Sequence, residues 1–298
     1  MYYFLSLLTG VLISVMIAFN GRLTGQYGAY SATVIIHITG LILITGMSLI
    51  KREQLFSKRH VWFLYLGGAI GVLTTVFNNI AFGRISVSAI LALGLFGQSV
   101  TGLIIDRFGL FGMSKRSFTV RKIYGLLLIL AGIASMINTL EFLAVAVSFI
   151  AGVNIVISRT LNARLADMSS VSISTFYNYL IGLILSIPVF MLLGSNEIVL
   201  TELIISRHWY IYLGGALGVC VVMISNVIVI KLSAFYLTLL IFIGQVFSGV
   251  LIDIIISQAF SVRNLTGGVL VAAGLCLNLL LDNKGNQRKN PAKSTNPE

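Results

Sequence analysis

Two glutamines in this chain are spaced and flanked alike. Gln98 is followed by Thr101 and Gly102, and Gln245 by Ser248 and Gly249, so on a helix each set falls at i, i+3 and i+4 along one face. Such a stripe offers amide donors and acceptors to a small solute. Read as packing, it is an interhelical hydrogen bond of about 0.6 kcal/mol beside a residue small enough for close approach. Asn79 and Asn226 raise the same pair of readings. The chemistry these groups can do is reversible recognition rather than bond cleavage.

Three further groups could move a proton: Asp253, His37 and Asp106. Asp253 has no adjacent base and runs into Ile254-Ile255-Ile256, which makes it the preferred acid for coupling. His37 follows, because an unperturbed imidazole titrates at about pH 6.5. Asp106 stands beside Arg107, so a local ion pair is the plainer reading there. The segment Tyr177-Asn178-Tyr179, together with Asn154, is the densest polar-aromatic patch. Tyrosine faces can hold a cation or a planar solute, although aromatic packing explains the patch as well. Arg22 and Arg164 follow Asn20 and Asn162, where a cation complements a helix C-terminus or, alternatively, draws anions to a gate.

Catalytic signatures are missing. The chain has no H-E-x-x-H, no G-x-S-x-G and no Cys/His cluster, and its three histidines are dispersed. Cys220 and Cys276 read as small apolar residues inside hydrophobic runs. An enzyme is therefore not expected, and neither a metal nor a cofactor is called for.

What must position these side chains is a set of helices in lipid. Of 298 residues, 57% are apolar and 10% charged, with a mean hydropathy of +1.00. A soluble domain carries roughly 25% charged residues, so that class is excluded. Runs free of Asp, Glu, Lys and Arg cover 2–21, 23–50, 60–83, 85–105, 123–140, 142–158, 168–196, 208–230, 232–252 and 264–281. Each approaches or exceeds the ~20 residues that cross a bilayer. They are continuous rather than alternating, which excludes a transmembrane barrel and leaves helices. Residues 1–20 lack the basic start and cleavage site of a signal peptide and read as the first helix. Sixteen of the twenty basic residues, Arg159 and Arg164 included, fall on the side of the N-terminus, and Arg22, Arg84, Arg207 and Arg263 on the other. The positive-inside rule then puts both termini in the cytoplasm of a multi-pass protein of the plasma (inner) membrane.

The chain also repeats itself. Residues 62–106 align without a gap on 209–253, with 16 identities in 45 positions. The shared positions include the W-x-x-Y-L-G-G-A-x-G-V start, Asn79 with Asn226, Gln98 with Gln245, and Asp106 with Asp253. Upstream, Gly10, Asn20, Arg22 and Gly40 match Gly152, Asn162, Arg164 and Gly182, and His37 is met by Tyr179. The expected fold is all-α integral membrane, ten transmembrane helices as two inverted five-helix repeats, because an odd helix number flips the second copy. The units are 1–140 and 141–282, followed by a disordered cytoplasmic tail over 283–298.

Ten helices as 5+5, the N-x-R-L after helix one, the G-G-x-x-G helix and the G-Q…G…D helix resemble the drug/metabolite transporter (DMT) superfamily, and within it the YdcZ-like family of bacterial inner-membrane exporters. The resemblance spans about 1–282. It implies a central cavity lined by helices 1–4 and 6–9, helices 5 and 10 at the periphery, and export as the direction.

The expected function is secondary transport of a small metabolite or drug-like solute by alternating access, with proton coupling as one option. Gln98, Gln245, Asn79, Asn226, Tyr177, Tyr179 and His37 are the expected solute contacts. Few fixed charges in the spans point to a neutral, zwitterionic or monocationic solute. A channel or uncoupled facilitator, and a multipass protein without transport, are the alternatives. The expected partners are the solute, the lipid bilayer and a second copy in a homodimer, without nucleic acid.

Overall fold

In lipid, every backbone N–H and C=O must be satisfied within the protein, and long apolar runs do this by closing their own i to i−4 bonds. The computed structural model describes residues 1–56, 61–110, 122–137, 141–194, 206–231, 234–257 and 261–289, without the side chains of 106, 122, 229–231, 234–239, 257, 279 and 282–289. The described residues form ten α-helices: α1 Tyr2–Tyr27, α2 Ala29–Ile50, α3 Leu66–Ala81, α4 Val87–Phe108, α5 Lys122–Met136, α6 Phe142–Met168, α7 Val171–Leu193, α8 Gly214–Lys231, α9 Ala234–Ser257 and α10 Val262–Lys289. Short 3-10 turns, Trp62–Tyr65 and Trp209–Leu213, lead into α3 and α8 at matched repeat positions.

Counting described residues alone, seven of the helices, α1–α4 and α6–α8, are long and apolar enough to cross a membrane. Among the described residues, α5, α9 and α10 show shorter apolar stretches, Ile123–Met136, Leu240–Ile256 and Val262–Asn278. Parts of the longer runs expected at 123–140 and 232–252 lie outside the described residues. The helical bounds also differ from the charge-free runs. Helix α6 continues through Arg159 and Arg164 to Met168, where the sequence reading ends the span at 158. A charge interrupts a hydropathy run without interrupting a helix. Helix α10 extends to Lys289, into the segment expected as a tail, and 290–298 lie outside the described residues.

Two glycines set the helix junctions. Gly28, at φ 89°, reverses the chain between α1 and α2 with no linker, and Gly109, at φ 64°, ends α4 in a left-handed cap. The N-terminus of α4 is capped by Ser86, whose hydroxyl accepts from the Ala89 N–H at 3.2 Å, and that of α7 by Ser170, which accepts from Ile173 at 3.1 Å.

Packing exchanges partners between the halves. Helix α1 packs on α8 and α9, and α6 packs on α3 and α4; α2 meets α7, and α5 meets α10. Glycines make the exchange visible atom by atom. A Cβ on Gly152 would fall less than 3.0 Å from the Gly94 carbonyl oxygen, and one on the equivalent Gly10 would do the same to Ile241. Gly97 against Phe149 is likewise echoed by Gly244 against Leu7, and Gly68 against Asn178 by Gly215 against Ile36. Backbones cross here at distances only glycine allows. An apolar core of Ala89, Leu93, Ile129, Ile133, Phe242 and Val271 joins α4, α5, α9 and α10, and a polar space lies among helices of the two halves.

Candidate functional site

That space is a cavity of about 180 Å³ walled by α1–α4 and α6–α9; no residue of α5 or α10 lines it among the described residues. Its wall mixes Ile13, Ile17, Ile90, Leu91 and Val221 with amides and hydroxyls from both halves. Six of the expected solute contacts lie on it: Gln98, Gln245, Asn79, Asn226, Tyr179 and His37.

They differ in how far the protein has already engaged them. The Asn79 amide donates to Thr33 Oγ1 at 3.1 Å and to the Ala29 carbonyl at 3.3 Å, tying α3 to α2. Its counterpart Asn226, 1% exposed, leaves Nδ2 without a partner among the described residues, and Gln245 leaves Oε1 so. A buried unpaired amide atom costs about 1–3 kcal/mol, so these two mark where a bound polar group gains most. Gln98 is half-buried and lines the cavity from α4. Thr101 and Ser248, expected to share the glutamine stripes, return their hydroxyls to the carbonyls of Gly97 and Gly244 in their own helices and do not line the cavity.

His37 and Tyr179, equivalent in the two halves, face each other with ring centroids 5.8 Å apart. His37 Nδ1–H donates to the Thr33 carbonyl at 2.8 Å, which fixes the neutral tautomer and leaves Nε2 as acceptor. The Tyr179 hydroxyl donates to the Gly215 carbonyl at 3.2 Å, across to α8. On the α6 side, Asn162 Nδ2 donates to Asn178 Oδ1 at 2.8 Å, and Ser158 donates to the Gly67 carbonyl at 2.8 Å.

Tyr177 is placed elsewhere. It stacks edge-on against Tyr65 with centroids 4.7 Å apart, and joins Phe176 and Phe56 in an aromatic cluster away from the cavity. Asn154 is also absent from the wall. Asp253 lies outside it as well. The carboxylate accepts from the N–H groups of Val87 at 2.8 Å and Ser88 at 3.0 Å, from the Ser88 hydroxyl, and from Asn264 Nδ2 at 3.2 Å. It therefore sits on the positive end of α4. Asp106 belongs to α4, and its side chain lies outside the described residues. Arg22 donates to the Tyr210 hydroxyl at 3.2 Å in an exposed position, and Arg164 is exposed.

The sequence reading missed Arg159, which it counted among the cytoplasmic cations. With Ile155, Ser158 and Asn162, at i−4, i−1 and i+3, it forms the face that α6 turns to the cavity. A signal was available. Arg159 lies three residues before the repeat-matched Asn162, on its helical face, and its own repeat counterpart is Ile17.

Comparison with known proteins agrees with this architecture. The family model described as "Putative inner membrane exporter, YdcZ" matches residues 1–135 and 143–277. No curated protein matches significantly. Among solved structures, 21 chains match. One is a crystal structure of a protein 16% identical in sequence, with a TM-score of 0.65 over 94% of this chain and 97% of its own. At that identity the likeness speaks to the fold alone.

Proposed function

The chain belongs to the YdcZ family of the DMT group, and on that premise we propose that it is a secondary transporter that exports a small solute by alternating access. The observation that carries this reading is a cavity enclosed by four helices of each half, with Gln98 and Gln245, and Asn79 and Asn226, on its wall at matched repeat positions. Solute sites at a repeat interface are the recurring arrangement of such transporters.

The halves are inverted relative to each other in this reading. Support comes from the odd number of helices per unit, from the separate family matches over 1–135 and 143–277, and from the reciprocal glycine contacts. Rocking one half against the other then opens the cavity to one side at a time. Both termini are cytoplasmic, on the asymmetry of basic residues, which remains fifteen to four with Arg159 set aside.

Proton coupling passes through His37. It is the titratable member of the expected coupling set that lines the cavity, and Nε2 can accept a proton while Nδ1–H stays on Thr33. Asp253 holds α4 in place. The test is flux in proteoliposomes: saturable, gradient-driven exchange is expected, whereas an ohmic current would make the protein a channel and overturn the reading.

A further inference from the structure

We propose that the transported solute is a small organic anion carrying one carboxylate-like group, recognised by Arg159. This rests on the transporter reading above and specifies its substrate class.

Among the described residues, Arg159 is the one cavity-lining residue of fixed charge, and no Asp or Glu lines the cavity. It makes no hydrogen bond or ion pair with any described residue. Helix α6 has 27 residues, about 40 Å, and Arg159 lies about 14 Å from its C-terminal end at Met168. Arg159 is thus an inner residue of α6 and not part of its terminal turns, where snorkelling would serve it. A cation within a span is costly, and such residues are as a rule paired or face a water-filled path. Here the described residues supply the cation without a counter-anion.

A guanidinium presents parallel N–H donors that match two oxygens of one planar anionic group. Two more features of the wall narrow the class. Unpartnered amide atoms on Asn226 and Gln245 can take a second polar group, and Ile17, Leu91 and Val221 provide an apolar side for a hydrocarbon body. The 180 Å³ volume limits that body to a small one. A monocation meets the like charge of Arg159, and a zwitterion finds no carboxylate for its ammonium group. The composition-based expectation of a neutral, zwitterionic or cationic solute is thereby replaced, because one buried charge outweighs a low average.

The experiment uses the full-length protein in detergent and three probes that share a phenyl ring and differ in the charge of the head group: benzenesulfonate, benzamide and benzamidinium. Benzenesulfonate stays ionised and does not leak across bilayers as a neutral acid. Saturable upward shifts in melting temperature are expected with benzenesulfonate and not with benzamidinium. Arg159→Gln should abolish the shift and Arg159→Lys should keep part of it. The Gln variant should melt no lower than wild type, since it removes an unpaired charge. No shift with benzenesulfonate at millimolar concentration, an equal shift in wild type and Arg159→Gln, or preference for benzamidinium would overturn the proposal. Proteoliposome counterflow of benzenesulfonate separates the two readings. Arg159-dependent binding without flux sinks transport and leaves the anion site standing; saturable flux of benzamidinium does the reverse.

Discussion

The carboxylate of Asp253, on α9, closes the first turn of α4 by accepting the Ser88 N–H at 3.0 Å, across 165 residues of sequence. A second main-chain bond from Val87, at 2.8 Å, makes the grip two-pronged. An ionised carboxylate accepts at both oxygens, whereas an asparagine amide would turn N–H donors toward one of the backbone donors. Asp253→Asn should therefore lower stability by about 1–3 kcal/mol, read as a fall in melting temperature in detergent. A variant of wild-type stability that has lost pH-gradient-driven flux would return Asp253 to the coupling pathway.

His37 provides the complementary test. His37→Gln should retain downhill exchange and lose uphill transport driven by a pH gradient, because Gln cannot carry the proton that Nε2 accepts. Uphill transport at the wild-type rate would remove proton coupling through the cavity wall.

The matched glutamines should matter for solute and not for folding. Gln245 Oε1 is unpartnered and Gln98 lines the cavity. Gln→Leu at either position should reduce transport roughly tenfold, equivalent to about 1.4 kcal/mol, with folded yield nearly intact. Lower yield at unchanged specific activity would identify them as packing residues.

Glycines should separate into two groups. Gly10→Ala and Gly152→Ala each force a Cβ against a carbonyl oxygen at less than 3.0 Å, whereas Gly25, Gly46 and Gly102 have nothing within 4 Å. The first two substitutions should each cost about 1–3 kcal/mol through overpacking, visible as reduced yield of folded protein, and alanine at the other three should be tolerated. Similar yields across both groups would show that the helices separate more freely than the packing implies.

Topology can be read with reporters. Fusions after Arg84, Arg207 or Arg263 should report outside, and a fusion at Glu298 inside. An external C-terminus would overturn both the orientation and the inversion of the halves.

Much of the molecule is written in its composition and spacing. Long charge-free runs establish a helical membrane protein and its ten helices, since lipid leaves the backbone no other way to satisfy itself. The W-x-x-Y-L-G-G and G-Q…G…D motifs disclose the family, because each half retains the same glycines and amides at the same offsets. Which faces those helices present was not legible. Tyr177 and Tyr179 are two residues apart, and a helix turns by about 200° over that distance, so one joins the Tyr65 cluster while the other lines the cavity. Asp253 could not be recognised as a cap for α4, since its partners come from the other half of the chain. Arg159 reads as the end of a span in a charge-free run, because such a run counts a charge as an interruption and does not register where the side chain points. Only the packing of α6 against α3 and α4 turns that guanidinium from a topological marker into the lone fixed charge that the described residues bring to the cavity wall.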